Sequence, residues 1–181
     1  MKIGVNCGHT LSGAGYGVSG LVEETKWTRI IGYGVMSELM KRQYDVVNCT
    51  CDYADTQNKY LAESVRLAND NKVDFFISIH LNACATHLAK GSEVYTHNGK
   101  AHPVAVKVLE ALNEYGFTNR NVKNGNELYV IRKTAAEAML IEVCFCDNDE
   151  DLRIIRETGK DLLCRTLAKA IDEGLQEMYR N

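Results

Sequence analysis

No stretch of this sequence reads as a linker, an internal repeat or a low-complexity tract, and it holds a single proline, Pro103. Nothing in its 181 residues therefore asks for a second domain, and at 45% hydrophobic and 25% charged the chain is long enough to bury its own core. It also lacks any apolar run near the ~18 residues of a membrane span, and Met1 leads straight into a strand pattern rather than a basic, then apolar, leader. These absences predict no membrane insertion, synthesis in the cytoplasm without a signal peptide, and a separate exit route for any extracellular role. There is no basic excess: the formal net charge is -3 and the pI near 6.0, which argues against nucleic acid as a partner. A disulfide framework is missing as well. The cysteines (Cys7, Cys49, Cys51, Cys84, Cys144, Cys146 and Cys164) are odd in number and scattered through expected strands and helices, the usage of buried thiols in a reducing compartment.

What the chain does have is an alternation of strand and helix patterns. Asp74 to Asn82, with Phe75, Phe76, Ile77 and Ile79, is expected to be a fully buried central strand. It delivers His80 at its carboxyl end, where open α/β sheets keep their sites. Lys2 to His9 has the same form and runs into His9, while Ala138 to Phe145 carries Glu142 inside an apolar run. Helical spacing extends from Glu24 to about Arg42, a strand is expected over Tyr44 to Thr50, and Leu61, Val65 and Ala68 mark a second helix face. Gly91 to His97 reads as a strand suited to an edge, and Pro103 opens a helix reaching Gly116. Residues 118–127 read as a loop, Leu128 to Ile131 as a short strand, and Leu163 to Met178 as a closing helix. The alternation predicts βαβ units, hence a single α/β domain around a largely parallel sheet.

Three of these elements supply chemistry. His9, Glu24 and His80 come from two strand ends and a helix start, and two imidazoles with one carboxylate form the set a catalytic zinc takes while keeping a fourth position for water. Taken singly, each has an ordinary role: a hydrogen-bonded strand-end histidine, or an acid favoured in a first helical turn. Glu142 is less easily accommodated, because Leu140 and Cys144 share its face at period two and an ionised, unpaired carboxylate there costs several kcal/mol. It belongs at the mouth of a site or beside a cation. Cys7, two residues from His9, offers a different chemistry, that of a thiol hydrolase. Gly15, Gly17 and Gly20 spell G-x-G-x-x-G, but residues His9 to Ala14 separate them from the strand, and the next strand ends Val47-Asn48-Cys49 without an acid, so a flexible loop is the expectation. The C-x-C pairs Cys49/Cys51 and Cys144/Cys146 are expected to be small buried hydrophobes. His87, His97 and His102 are expected to be solvated, with any of them able to replace a ligand.

The stretches Val5-Asn6-Cys7-Gly8-His9, Gly20-Leu21-Val22-Glu23-Glu24, Ser78-Ile79-His80-Leu81-Asn82-Ala83, Gly91-Ser92-Glu93-Val94, Leu128-Tyr129-Val130-Ile131-Arg132 and Leu140-Ile141-Glu142 through Asn148 together resemble zinc-dependent N-acetylmuramoyl-L-alanine amidases of the amidase 3 type. The resemblance is to the catalytic domains of clostridial phage endolysins in particular. It implies Zn2+ on His9, Glu24 and His80, Glu142 as catalytic acid/base, and a twisted sheet of about six mostly parallel strands flanked by helices. Glu24 is preferred to Glu23 because Trp27 and Thr28 then match the family's aromatic-plus-polar positions. The implied substrate is bacterial peptidoglycan, cut between N-acetylmuramic acid and L-alanine, with Asn82 as a candidate substrate contact. Residues 1–181 would be one catalytic domain with no cell-wall-binding domain, acting on the wall after release through a holin or by lysis. Glu137-Ala138 stands where the family often has a proline before the Glu142 strand. A non-catalytic wall-binding module is the alternative outside enzymes.

Overall fold

In β1 (Lys2–Cys7) the side chains of Ile3, Val5 and Cys7 are fully buried on one face, while Gly4 and Asn6 point to the other. The computed structural model describes residues 1–179, so Arg180 and Asn181 of the expected 1–181 domain lie outside the described residues. Six strands form the main sheet in the order β3-β1-β5-β8-β6-β7. Besides β1 these are β3 (Asp45–Asn48), β5 (Phe75–Asn82), β6 (Ser92–Thr96), β7 (Asn119–Asn124) and β8 (Glu137–Phe145). All neighbours run parallel except β6 and β8, which are antiparallel. A separate two-stranded pairing, β2 (Ser12–Gly13) with β4 (Tyr53–Ala54), ties the glycine-rich loop to the segment after β3.

The two faces of the sheet are covered unequally. Ile3, Val5, Phe75, Ile77, Ile79, Met139, Ile141 and Val143 pack in one continuous cluster with α1 (Glu24–Lys41), α3 (Pro103–Tyr115) and α6 (Lys160–Tyr179). The opposite face is roofed by α2 (Gln57–Asp70) and the short α4 (Tyr129–Lys133), through Val65, Ala68, Val130 and Ile131 against Phe76, Ala138 and Leu140. That roof covers only the lower half of the strands. Inside it lies a polar ladder in which Ser78 Oγ donates to Asn6 Oδ1 (2.7 Å) and Asn6 Nδ2 donates to Ser64 Oγ (3.2 Å).

The structure departs from the sequence expectation in five places. Residues 119–124, expected as loop, are the edge strand β7, and Gly91 to His97, expected at an edge, yields β6 between β8 and β7. Leu128 to Ile131, expected as a strand, is the start of α4, and the tail folds as two helices, α5 (Asp149–Thr158) and α6, separated by Gly159 at φ 93°. The period-two argument for Cys144 also fails. Two steps along β5, from His80 to Asn82, oppose three along β8, from Glu142 to Phe145, and this bulge turns Cys144 into the large apolar cluster.

Candidate functional site

The carboxyl ends of β1, β5 and β8 meet above the roofed half of the sheet. His9 follows β1 with φ 67°, a conformation few non-glycine residues adopt. Its amide donates to Tyr60 Oη (2.6 Å), and its ring Nδ1 lies 3.0 Å from the Gly15 carbonyl. A carbonyl only accepts, so Nδ1 carries a proton there, and a neutral ring would offer its Nε2 lone pair, 2.9 Å from Glu24 Oε1, to a cation held between the two. Glu24 is the first residue of α1 and only 3% exposed. The amides of Val18 and Leu81 donate to its Oε2 (3.1 Å) and Oε1 (3.2 Å), and Oε1 is 3.2 Å from His80 Nδ1. Burial alone would raise the Glu24 pKa, but the imidazoles of His80 and His9 beside it outweigh that and hold the carboxyl well below the usual carboxylate range. Burial pushes His80 down despite the pull of Glu24, which favours the neutral imidazole a ligand needs.

The ligand atoms of His9, Glu24 and His80 lie within 4.8 Å of one another, and among the described residues they are the one cluster of three or more such groups able to hold a metal ion. Two imidazole nitrogens and a carboxylate oxygen suit a divalent transition ion. Glu142 stands across from His80 on β8 and from Glu93 on β6. Its Oε2 is buried without a hydrogen-bond partner, and burial, with the charges of Glu24 and Glu93, raises its pKa well above the ordinary value. Three carboxylates gathered at a strand end are a setting a cation would stabilise.

Two features of the site were not read from the sequence alone. A Cβ on Gly8 would fall against the imidazole of His80, 2.5 Å from Nε2 and 2.6 Å from Nδ1, so only glycine lets that ring lie over β1. Glu93, 4% exposed, accepts from Asn82 Nδ2 (2.8 Å), Tyr95 Oη (2.9 Å) and Arg120 Nε (2.9 Å), and the Arg120 guanidinium lies 5.1 Å from the centroid of the Phe145 ring. Asn82 is thus held, with its Oδ1 accepting from the Ala83 amide at 2.9 Å. On the other side of His80 a cavity of about 430 Å³ opens between α2 and α4, lined by His9, Gln57, Tyr60, Leu128, Tyr129 and Arg132 among others.

The other candidates are elsewhere. Cys7 is fully buried under Gly32 of α1, and burial pushes its thiol up to about 11, far from the thiolate a nucleophile needs. His87 pairs with Asp147 (2.9 Å), His97 with Asn98 (3.0 Å), and His102 is buried as the N-cap of α3 rather than solvated. The C-x-C cysteines are buried free thiols.

Comparison with known proteins extends the geometry. The chain is 35% identical over 178 residues to the Clostridium perfringens protein CPE1502, an alignment covering 96% of this chain and 52% of that protein. The chain therefore spans about half the length of that curated relative. It is 28% identical over 183 residues to the endolysin of Bacillus phage SPP1, covering 96% of this chain and 64% of the endolysin. Among solved structures, the catalytic domain of the CD27L endolysin targeting Clostridia difficile superposes with a TM-score of 0.85 at 25% identity, covering 94% of this chain and 96% of that domain. A family model described as N-acetylmuramoyl-L-alanine amidase matches residues 3–177, nearly the whole chain, and the chain belongs to that family, Amidase_3.

Proposed function

We propose that this domain is a zinc-dependent N-acetylmuramoyl-L-alanine amidase that hydrolyses the amide joining N-acetylmuramic acid to the L-alanine of the peptidoglycan stem. The observation that carries the proposal is the convergence of His9, Glu24 and His80 within 4.8 Å, with the unpartnered carboxyl of Glu142 on the neighbouring strand. His9, Glu24 and His80 would hold the ion. A bound Zn2+ supplies Lewis acidity at the scissile carbonyl and makes water more acidic.

Glu142 then does the proton work: a cation on the neighbouring cluster would oppose the burial and negative charges that raise its pKa, and its carboxylate would take a proton as water attacks and return it to the departing amine nitrogen of L-alanine. Glu93, fixed by Asn82, Tyr95 and Arg120, holds the floor beside it. Asn82 would reach substrate through the second proton of its Nδ2. The cavity between α2 and α4 gives a polymeric substrate room to extend past His80. Residues 1–181 would act as one catalytic unit, meeting the wall after release from the cytoplasm.

The thiol reading is disfavoured by the buried, protonated Cys7. A wall-binding module would have no use for an orphaned carboxyl beside a ligand cluster. The test is Glu142→Gln assayed on purified wall, with metal content measured in parallel. Zinc should stay at the parental stoichiometry while turnover drops by roughly 10²-fold or more. A Gln variant that releases L-alanine-terminated peptides at the parental rate would overturn the assignment.

A further inference from the structure

His9 is an awkward ligand to hold. It lies beyond the end of β1, in a left-handed conformation, at the start of a glycine-rich loop. Nothing in the sheet ladder fixes its carbonyl. Arg29, one turn into α1 beyond Glu24, meets that need. It is only 6% exposed, and all its protons are engaged. Nη1 donates to the Gly8 carbonyl (2.8 Å) and the Thr25 carbonyl (3.1 Å), and Nη2 donates to the His9 carbonyl (2.7 Å) and to Asp52 Oδ1 (2.8 Å). Nε donates to the same Asp52 oxygen at 3.1 Å.

The guanidinium thus grips two successive carbonyls, those of the glycine under the His80 ring and of His9 itself, with a planar fork no other side chain offers. Asp52 completes the clamp from the far side. Its main-chain carbonyl accepts from the amides of Leu11 (2.9 Å) and Ser12 (3.2 Å), so the residue that fixes Arg29 also anchors the loop leaving His9. Arg29 springs from the same helix as Glu24, and that helix registers one ligand against another. We propose that Arg29, braced by Asp52, is the positioning residue for the metal ligand His9, setting the main-chain conformation that aims its Nε2 at Glu24 and His80. The inference rests on the metal-site reading above.

The experiment titrates Co2+ into the metal-free chain, following the visible absorption of the bound ion, at a temperature where circular dichroism shows each metal-free variant folded. Arg29→Met should weaken Co2+ binding by about 10- to 100-fold, the range for residues that orient a ligand, and change the shape of the spectrum. Arg29→Lys, which reaches one carbonyl at a time, should recover part of the loss. A merely structural role would lower the melting temperature of the metal-free variants and leave the affinity and spectrum of the folded protein unchanged; that result overturns the inference. Should Arg29→Met not fold, Asp52→Asn carries the test, because that carboxylate is half exposed: weaker binding supports the clamp and parental binding rejects it. A parental chain that takes up no Co2+ at all would instead end the metal-site reading.

Discussion

The two faces of the sheet are built from the same strands and could hardly differ more. On the face under α1, α3 and α6, the inward positions of β1, β5 and β8 up to Val143 are buried hydrophobes, save Glu137 at the start of β8, which pairs with Lys100. On the other, successive positions of β5 run Phe76, Ser78, His80, Asn82: apolar beneath the roof, then a hydrogen-bonded hydroxyl, then a member of the candidate metal cluster, then the asparagine that holds Glu93. One strand therefore serves stability with its odd residues and chemistry with its even ones, because successive side chains point to opposite faces. The closed face makes the open one possible. Burial of desolvated carboxylates at Glu24, Glu93 and Glu142 costs stability that the large apolar cluster must offset.

The sharpest way to separate the faces is to compare adjacent glutamates. Glu24→Ala should abolish metal retention and lower turnover by about 10²-fold or more, since the ion's contribution to the barrier is several kcal/mol. Glu23→Ala should stay close to the parent, as Glu23 only pairs with Lys26 and makes no side-chain cap to α1. Metal content and rate on the two purified variants check it, and the reverse pattern would break the assignment. On the closed face, Ile79→Ala should cost about 2–5 kcal/mol in a denaturant melt, the usual cost of emptying a fully buried aliphatic site. Metal affinity of the still-folded Ile79 variant should match the parent, although its neighbour His80 is a proposed ligand.

The smallest effect is expected at His102, the buried N-cap of α3, whose ring packs edge-on against Phe75 of the closed face. Burial lowers its pKa, an effect Lys100 reinforces and Glu137 opposes. Below the unfolded value of about 6.5 the unfolded chain takes up a proton that the folded one refuses, so stability falls as pH drops through that window and flattens below the folded pKa. The slope from this one residue is at most about 1.4 kcal/mol per pH unit. His102→Asn, which keeps a capping oxygen, should remove that slope in melts between pH 7 and pH 5, about the titration range of free histidine. An unchanged slope would assign the acid sensitivity to other groups.

Much of the closed face was legible in the chain, since long apolar strands such as β5 and β8 and the 3.6-residue spacing of α1 and α3 are driven by burial and show it. The convergence of His9, Glu24 and His80, with Glu142 nearby, was legible for a related reason: a histidine ending a buried strand, or a glutamate inside one, interrupts a pattern that burial would otherwise enforce. What escaped was decided by tertiary contact. β7, Asn-Arg-Asn-Val-Lys-Asn, is an edge strand with little to bury, so its sequence resembles a loop, and only the pairing with β6 makes it a strand. Leu128 to Ile131 is too short a run for its period to distinguish helix from strand. Gly8 and Arg29 act through space, one by leaving room for a ring and the other by reaching back to carbonyls some twenty residues away.

The position of β8 between β5 and β6 bears on how the protein matures. β5, β6 and β7 all precede β8 in the chain, yet β8 is the strand that joins β5 to β6, so the sheet between them cannot be complete until β8 has been made. A chain leaving the ribosome presents residues 9, 24 and 80 long before residue 142. Pairings this distant in sequence form slowly, because loop closure is completed before any contact rewards it. Glu142, the proposed acid/base, is thus the last of the four residues to be made, and a nascent chain presents His9, Glu24 and His80 before the strand that completes the proposed site.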